Sequence, residues 1–406
     1  MNKDQKTLIK LLNCAIRKEK LRCIDYKGIN WDYIISESQE HNIYTLLYPV
    51  IRDLSPSDVI SQDFKEKWKK HTFSTAIHIN NQIVQMSKVF KEFNKEVIPV
   101  IALKGLILRN LYPYPDLRTM GDADVFIHKE DIEKASNILI NMGYVESKEA
   151  SAAHLFFSHK CYSPIELHWK LADTNFIKDT SQFESKVWTH SVTKSISDAS
   201  VLCLGTEDFL MHLCLHMAVH MRSGGFGLRQ LCDLLLLVEK EGPSIDWENF
   251  LVKIRTNGIE KFTTAIFNVC NILFGLQIPK ELKNITFDET SIKMLLDDIF
   301  ASGVFGHRSL DRIFGNNLLN AEVMYKEKNS SRILNILLII CPPIHSLSNS
   351  YSYAKKYKIL TPIAWIQHFF AGLFNRDYNY FDKLKFLFFS TSTFKRRNEL
   401  IKNLEL

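Results

Sequence analysis

The segment from Ile98 to Val125 constrains the fold of this chain more than any other stretch. It opens with an almost continuous apolar run, IPVIAL, which is typical of a strand covered on both faces. The turn Lys104-Gly105 follows, then a short helical stretch that ends before a proline-rich loop. The segment closes with Asp122-Ala123-Asp124-Val125, which begins a second apolar strand. This order predicts a small unit in which strands and helices alternate.

The same alternation continues to about residue 170. An amphipathic helix is predicted over Lys129–Met142, because acidic residues occupy its first turn and Gly143 follows its end. Short stretches that contain Val, Ile, Leu or Phe then predict strands over 144–147, 155–161 and 163–169. The segments on either side carry apolar residues at three- and four-residue steps, which favours helices. The predicted fold class is therefore α+β, a small mixed-sheet core embedded in a largely helical protein.

The chain length supports more than one structural region. At about 100–200 residues per domain, 406 residues predict two or three domains. We divide the chain into an N-terminal helical region (1–95), an α/β core (96–200), a helical domain lining the cleft (201–320) and a C-terminal helical region (321–406). The stretch 306–331 is the predicted boundary.

Composition excludes several classes of protein. The chain is 46% hydrophobic and 24% charged, as in an ordinary globular protein, and its charge of +6 is scattered, so nucleic acid is not a favoured partner. The eight cysteines form no CxxC pair and are predicted to be reduced. The first residues read as an amphipathic helix instead of a signal peptide, and the longest apolar run, around 336–340, is too short for a bilayer. We therefore expect a cytoplasmic protein without a membrane partner.

Three acidic residues predict a metal site. Side chains two apart on a strand share a face, so Asp122 and Asp124 lie side by side. Glu166, in IELHW, joins them if the two strands are neighbours. Carboxylates together with substrate phosphates are the ligands that Mg²⁺ prefers. The alternatives are an exposed acidic turn for the pair and a partly exposed edge-strand residue for Glu166.

Residues near the first turn are predicted to bind phosphate. Gly105 allows backbone N–H groups at a helix N-terminus to approach an anion, and Lys104 can contact phosphate or pair with the carboxylates. Arg118 lies in the loop before Asp122 and suits a triphosphate. The alternatives are a simple strand-to-helix turn and a solvated loop arginine.

At this point the motifs show a resemblance to a known family. The chain resembles an uncharacterised bacterial nucleotidyltransferase-like family of the polymerase-beta superfamily. The motifs that carry the resemblance follow one another in the family's order, namely Leu103-Lys104-Gly105, Tyr112-Pro113, Arg118 to Val125 and Glu166 to Trp169. The resemblance extends over about residues 65 to 280. Two positions depart from the superfamily pattern, since Lys104-Gly105 replaces a Gly-Gly or Gly-Ser turn and the third carboxylate is Glu166 instead of an aspartate.

The resemblance implies catalytic and metal-binding residues. It implies a nucleotidyltransferase core that uses Mg²⁺, with Asp122 and Asp124 as metal ligands and Glu166 as the third carboxylate. Two Mg²⁺ ions and a nucleoside triphosphate such as ATP are the expected cofactor and co-substrate. The residues predicted to bind the nucleotide are Lys104, Gly105, Arg118, Gly121, His168, His216 and His220.

The histidines admit several interpretations. His168 shares the face of Glu166, whereas His212, His216 and His220 follow each other at four-residue steps and share one helix face. This helix face can be a polar stripe packed on the α/β unit, or it can line the cleft and contact nucleotide or acceptor. A third interpretation is structural zinc, with an aspartate completing the ligand set. The residues considered as partners of the stripe or of the zinc are Asp208, Arg222, Arg229 and Asp233.

Three functions compete at this stage. The favoured one is transfer of a nucleoside monophosphate to a small molecule or a peptide natural product, with release of pyrophosphate. The second is nucleotidylation of an RNA or protein partner, and the third is a non-catalytic nucleotide-binding scaffold. The modest charge and the complete set of carboxylates favour the first.

Overall fold

The computed structural model describes most of the chain. The described residues are 1–21, 27–54, 61–147, 153–172, 177, 180–283, 285, 289–304, 306, 309, 311–313, 315–317, 319, 340–344, 347, 349–373 and 391–406. Within these residues, seven strands form one mixed sheet and helices precede and follow it. The predicted α+β class is confirmed.

The helices carry apolar residues on the sides that face the cores. In order they are α1 (Lys3–Arg17), α2 (Trp31–Glu40), α3 (Tyr44–Arg52), α4 (Gln62–Lys95), α5 (Gly105–Leu108), α6 (Ile132–Asn141), α7 (Ser181–Val187), α8 (Thr206–Ser223), α9 (Leu228–Glu241), α10 (Trp247–Thr256), α11 (Glu260–Phe274), α12 (Lys280–Lys283), α13 (Glu289–Ser302), α14 (Ser352–Lys356), α15 (Thr361–Leu373) and α16 (Thr391–Asn403). No described helix has a stretch long and apolar enough to cross a membrane.

The strands are short and mostly buried at the centre of the sheet. They are β1 (Val100–Ala102), β2 (Ala123–Ile127), β3 (Val145–Glu146), β4 (His154–Ser158), β5 (Ile165–His168), β6 (Val192–Ile196) and β7 (Ala199–Cys203). Their spatial order is β3-β4-β5-β2-β1-β7-β6. The pairs β2–β5 and β1–β7 are parallel and the others are antiparallel.

Alternation along the strands separates an apolar face from a polar one. Val125 and Leu167 point to the face covered by α4 and α6, where they join a core with Phe90 and Phe93. Asp124 and Glu166, which directly precede these two residues, lie on the other face because side chains alternate along a strand. The polar residues of β2 and β5 are therefore gathered on one side of the sheet.

The helices α8 and α9 belong to the core on the polar side of the sheet. This larger core also includes the N-terminal helices, so that Leu11 of α1 and Leu234 of α9 belong to the same set of buried residues. Phe126, next to the acidic residues of β2, packs in this core and stacks on Trp188 with ring centroids 5.2 Å apart. The division into four domains stays a prediction.

Sequence reasoning missed the hairpin β6–β7. It predicted no strand between residues 170 and 206, yet β7 pairs with β1 in parallel and extends the sheet beyond it. Helix α8 begins at Thr206, with Gly205 as its N-cap. The predicted boundary at 306–331 lies largely outside the described residues.

Candidate active site

The register of two parallel strands places the acidic residues together. Asp124 of β2 is the direct neighbour of Glu166 on β5, and Asp122 lies just before β2. Asp124 is 5% exposed, whereas Asp122 and Glu166 are half-buried. All three residues line one cavity of about 410 Å³, a size that suits a small-molecule ligand. Asp122, Asp124 and Glu166 therefore form one wall of this cavity, which we call the acidic wall.

The turn after β1 aims Lys104 at this acidic wall. Its Nζ lies 2.6 Å from Oδ1 of Asp124. The backbone of Lys104 has φ 43° and ψ −119°, a conformation that residues other than glycine rarely adopt and that costs about 1–3 kcal/mol. Strain of this kind at the mouth of a cavity indicates that the position of the side chain matters more than local stability.

The glycine of this turn is required by close packing. A Cβ on Gly105 would lie 2.6 Å from Sδ of Met120 and closer still to the guanidinium of Arg118. Gly121, in contrast, has open space where a Cβ would be. Both glycines line the cavity, and the open space beside Gly121 leaves room for a bound molecule.

His168 lies between two of the carboxylates. Its Nε2 is 3.0 Å from Oδ1 of Asp124 and 3.1 Å from Oε2 of Glu166. Burial would lower the pKa of His168, but the hydrogen bonds to the two carboxylates outweigh burial and raise it. His168 and Lys104 are thus the cations in direct contact with the acidic wall.

The carboxylates differ in acidity. Burial alone would raise the pKa of Asp124, but Lys104 and His168 lower it well below its usual range. Burial together with the charge of Asp124 raises the pKa of Asp122 to about 6. Asp122 is therefore the carboxylate with uncompensated charge, and a cation bound in the cavity would relieve it.

Two histidines of α8 face the acidic wall. His216 and His220 line the same cavity, and their Nε2 atoms lie 3.0 Å apart. Burial lowers the pKa of His220 to about 4 and the pKa of His216 well below its usual range, so both are neutral near pH 7. His216 and His220 therefore fit the interpretation in which this helix face lines the cleft. Among the described residues, His212, His216 and His220 form no cluster of metal ligands, so the zinc interpretation gains no support.

His212, the first residue of this stripe, is different. It is 1% exposed, and neither ring nitrogen has a hydrogen-bond partner within the described part of the chain. Burial lowers its pKa to about 3. His212 therefore fits the interpretation in which the helix face packs on the α/β unit. His216 and His220, on the same face, fit the interpretation in which it lines the cleft.

The loop before Asp122 is anchored by an ion pair with α9. Arg118 donates from Nε to Oδ1 of Asp233 at 3.1 Å and from Nη2 to Oδ2 at 2.5 Å. Tyr112 donates to Oδ1 of the same carboxylate at 2.8 Å. Arg118 lines the cavity but is 4% exposed, and its hydrogen bonds go to protein atoms. Its contact with a triphosphate stays a prediction.

Arg229 of α9 lines the same cavity and has free donor capacity. Its Nη1 donates to the carbonyl of Thr119 at 2.8 Å, whereas its buried Nε has no partner among the described residues. Burial and the neighbouring Arg118 lower the pKa of Arg229. A buried guanidinium with an unused donor favours an anionic ligand.

His154 is the cavity residue that sequence reasoning did not single out. It begins β4 directly opposite His168 of β5. One ligand atom each from His154, Glu166 and His168 can be chosen so that all three lie within 4.8 Å of one another. The signal available in the sequence was the position of His154 directly before the predicted strand 155–161, but its register against β5 is set by the fold.

The cavity brings every predicted site residue together. The residues predicted as catalytic, metal-binding or nucleotide-binding all line it, namely Lys104, Gly105, Arg118, Gly121, Asp122, Asp124, Glu166, His168, His216 and His220. A larger cavity of about 590 Å³ lies between α11 and α13, but its charged lining is two lysines and Glu289. The convergence of carboxylates and cations therefore marks the smaller cavity as the candidate active site.

The comparison with known proteins gives the class. Residues 27–275 match the model of a family described as uncharacterised nucleotidyltransferase. The match covers more than half of the chain, which therefore belongs to this family. The predicted relation to nucleotidyltransferases is confirmed. A search of the curated proteins finds no significant match.

Proposed function

We propose that this protein transfers a nucleoside monophosphate from a nucleoside triphosphate to an acceptor and releases pyrophosphate. The acceptor we favour is a hydroxyl, phosphate or amine of a small molecule or a peptide natural product, and ATP is the expected donor. In this reaction the acceptor atom bonds to the α-phosphorus, and the bond from this phosphorus to the bridging oxygen breaks. The electron pair of that bond leaves with pyrophosphate.

One observation carries this proposal. Three carboxylates line one wall of a cavity whose other lining includes a guanidinium with an unused donor. Asp124 and Glu166 are neighbours in the sheet, and the pKa of Asp122 is raised by burial and by Asp124. This combination suits a polyanionic substrate that is bound together with divalent cations.

The donor set of the acidic wall fits divalent metal. Asp122, Asp124 and Glu166 offer carboxylate oxygens from two adjacent strands, which keeps their spacing rigid. Two Mg²⁺ ions, when bound, would polarise the transferred phosphoryl group and stabilise the charge on the attacking and leaving oxygens. Asp122 and Asp124 are the proposed ligands of both ions, and Glu166 is the proposed ligand on the acceptor side.

Two cations are proposed to hold the triphosphate. Lys104 is fixed by its strained turn beside Asp124, so a phosphate bound next to the carboxylates meets its ammonium group. Arg229 contributes the unused Nε of its guanidinium. Arg118 orients the loop through Asp233, and its own contact with phosphate requires that this ion pair loosens.

Glu166 is the proposed acceptor of the proton that the nucleophile loses. It lines the cavity beside Asp124 and hydrogen-bonds with His168. Burial would raise the pKa of Glu166, but His168 lowers it, so the carboxylate is ionised and able to accept a proton near pH 7. The imidazole of His168 then stabilises whichever carboxylate remains charged.

The first test is pyrophosphate release with Mg²⁺ and each of the four nucleoside triphosphates. We expect slow release with one preferred nucleotide, and loss of this release in the double variant Asp122→Asn/Asp124→Asn. The matched control is Glu130→Gln/Glu133→Gln, which also removes two negative charges but at exposed positions near the start of α6. The mass of the product identifies the transferred group.

The other functions correspond to other outcomes of this test. Nucleotide binding without release, followed by release on addition of RNA or a protein fraction, supports a macromolecular acceptor. Absence of both release and metal-dependent nucleotide binding in a thermal-shift assay contradicts the proposal and leaves a non-catalytic scaffold that kept only the fold.

A further inference from the structure

Two histidines and one glutamate form a second group of metal ligands in the cavity. Nε2 of His168 lies 3.1 Å from Oε2 of Glu166, and Nε2 of His154 lies 4.0 Å from Oε1 of the same residue. The rings of His154 and His168 have centroids 4.9 Å apart. Tetrahedral zinc, with bonds of about 2.0–2.1 Å, places neighbouring ligand atoms roughly 3.3 Å apart. The three side chains need only small movements to reach this spacing.

The sheet itself holds these ligands in place. His154 and His168 are direct cross-strand neighbours in the antiparallel pair β4–β5, and Glu166 is two residues from His168 on the same strand face. Ligands on adjacent strands are positioned more rigidly than ligands on loops. The group is therefore built into the fold and does not depend on a mobile segment.

Its chemistry differs from that of the aspartate pair. Asp122 and Asp124 offer oxygen alone, which suits Mg²⁺. His154, Glu166 and His168 offer two imidazole nitrogens and one carboxylate, a set that binds Zn²⁺ and related transition metals and leaves a coordination position for a further ligand. The two sets meet at His168, whose Nε2 is 3.0 Å from Asp124.

We propose that His154, Glu166 and His168 bind a divalent transition-metal ion of the imidazole-binding class, with Zn²⁺ as its type, beside an oxygen-only Mg²⁺ site at Asp122 and Asp124. The ion takes the acceptor-side position that the proposed function gives to Glu166, in place of the second Mg²⁺ ion, so its catalytic role rests on that function. Its binding does not, because the ligands are present without substrate. A transition metal there acts as the stronger Lewis acid of the two ions.

The competing explanation is that His168 serves only as a hydrogen-bond donor between Asp124 and Glu166. In that case His154 does not bind metal, and metal binding involves carboxylates alone. The two explanations therefore differ in His154, which is a metal ligand in our proposal and not a ligand in the competing explanation. His154 is also accessible to substitution, because its side chain is 30% exposed.

The test is metal binding by the full chain after treatment with a chelator. Co²⁺ is the optical probe, and Zn²⁺ and Mg²⁺ are titrated by calorimetry. We expect Zn²⁺ to bind at least about 10-fold more tightly than Mg²⁺, and Co²⁺ to give an absorption spectrum typical of nitrogen ligation. His154→Ala is expected to weaken Zn²⁺ binding about 10-fold or more and to leave Mg²⁺ binding unchanged.

The matched control is His71→Ala, which removes an exposed histidine of α4 and is expected to bind Zn²⁺ like the wild type. His154→Asn is the second variant if His154→Ala unfolds, as judged by circular dichroism. The inference is overturned if wild-type protein binds Zn²⁺ no more tightly than Mg²⁺, or if both His154 variants bind Zn²⁺ like the wild type. A Co²⁺ spectrum without pyrophosphate release contradicts the proposed function alone, whereas release with Mg²⁺ and no Zn²⁺ binding contradicts this inference alone.

Discussion

Two buried acidic clusters of this protein balance their charge in opposite ways. On the sheet, three carboxylates lie beside one ammonium, Lys104, and one imidazole, His168, and the guanidinium of Arg229 lines the same cavity. In the helical part, a single carboxylate, Asp298 of α13, is held by two guanidinium groups. Arg312 donates to both of its oxygens at 2.9 and 2.8 Å, and Arg397 lies 3.0 Å from it.

Further donors of the helical cluster bond to backbone carbonyls, although the buried Nε of Arg397 has no partner among the described residues. Arg312 donates to the carbonyl of Gly224 at 2.9 Å, and Arg397 donates to the carbonyl of Met221 at 2.6 Å. The cluster thus fastens α13 and α16 to the end of α8, and none of the four described cavities is lined by it. A carboxylate whose oxygens are fully paired with guanidinium groups stabilises the structure. An excess of negative charge beside a cavity costs stability, which is a common feature of functional sites.

The largest effect is expected in the saturated cluster. Asp298→Asn leaves two buried guanidinium groups without a counter-charge and is predicted to lower the free energy of unfolding by about 3–5 kcal/mol. Urea unfolding at pH 7 measures this change. Asp297→Asn is the control, because Asp297 is an exposed neighbour that pairs with exposed Arg396. A loss below about 1 kcal/mol for Asp298→Asn would mean that this cluster does not stabilise the fold.

The opposite sign is expected on the sheet. Asp122→Asn removes the carboxylate whose pKa is raised to about 6, and it should increase the free energy of unfolding at pH 7 by about 1–3 kcal/mol without divalent ions. A raised carboxylate pKa destabilises the folded chain above that pKa, so the gain shrinks as the pH falls from 6 toward about 4. Urea unfolding at pH 7 and pH 4.5 measures both values. A loss of stability in Asp122→Asn would break the contrast between the two clusters.

A third test concerns the buried histidine beside the acidic wall. His212→Leu replaces an imidazole that has no hydrogen-bond partner within the described residues, so little loss is expected at pH 7. The pKa of His212 is lowered to about 3 in the folded chain, so its neutral form stabilises the fold above about 6.5, and this contribution is lost as the pH falls toward 3. Between pH 7 and pH 5 the wild type should lose about 1–2 kcal/mol more than His212→Leu.

The measurement is urea unfolding of both proteins at the two pH values. His71→Leu provides the comparison for an exposed histidine, which is expected to leave the pH dependence of stability unchanged. An equal loss in wild type and His212→Leu would show that His212 is protonated in the folded chain or reaches a partner.

Local pattern accounts for much of what the sequence predicted. The alternation within β2 and β5 is a property of a few adjacent residues, and it sufficed to predict which acidic residues share a face. The pairing of β2 with β5 was a condition of that prediction, and the structure meets it through the register Asp124 to Glu166. The roles of these residues stay predictions.

Contacts between distant residues were not predictable in the same way. The hairpin β6–β7 was missed because β6 is mostly exposed and carries no continuous apolar run. The position of His154 opposite His168 depends on the register of β4 against β5, which no local pattern fixes. The pairing of Arg118 with Asp233 joins residues 115 positions apart, so the sequence showed both residues but not their contact.

The smallest effect is predicted for a carboxylate that combines features of both clusters. Asp233 lies near the candidate active site through Arg118, yet it is saturated like Asp298, by two hydrogen bonds from Arg118 and one from Tyr112. Tyr112→Phe removes one donor and leaves the ion pair, so a loss of about 1 kcal/mol in the free energy of unfolding is expected. Urea unfolding of Tyr112→Phe beside Tyr114→Phe, a change at a more exposed neighbour, measures it. If Tyr112→Phe instead costs as much as Asp298→Asn, the arginine alone does not satisfy Asp233. In that case the distance of a buried carboxylate from the cavity, and not the number of hydrogen bonds that it accepts, would determine its contribution to the free energy of unfolding.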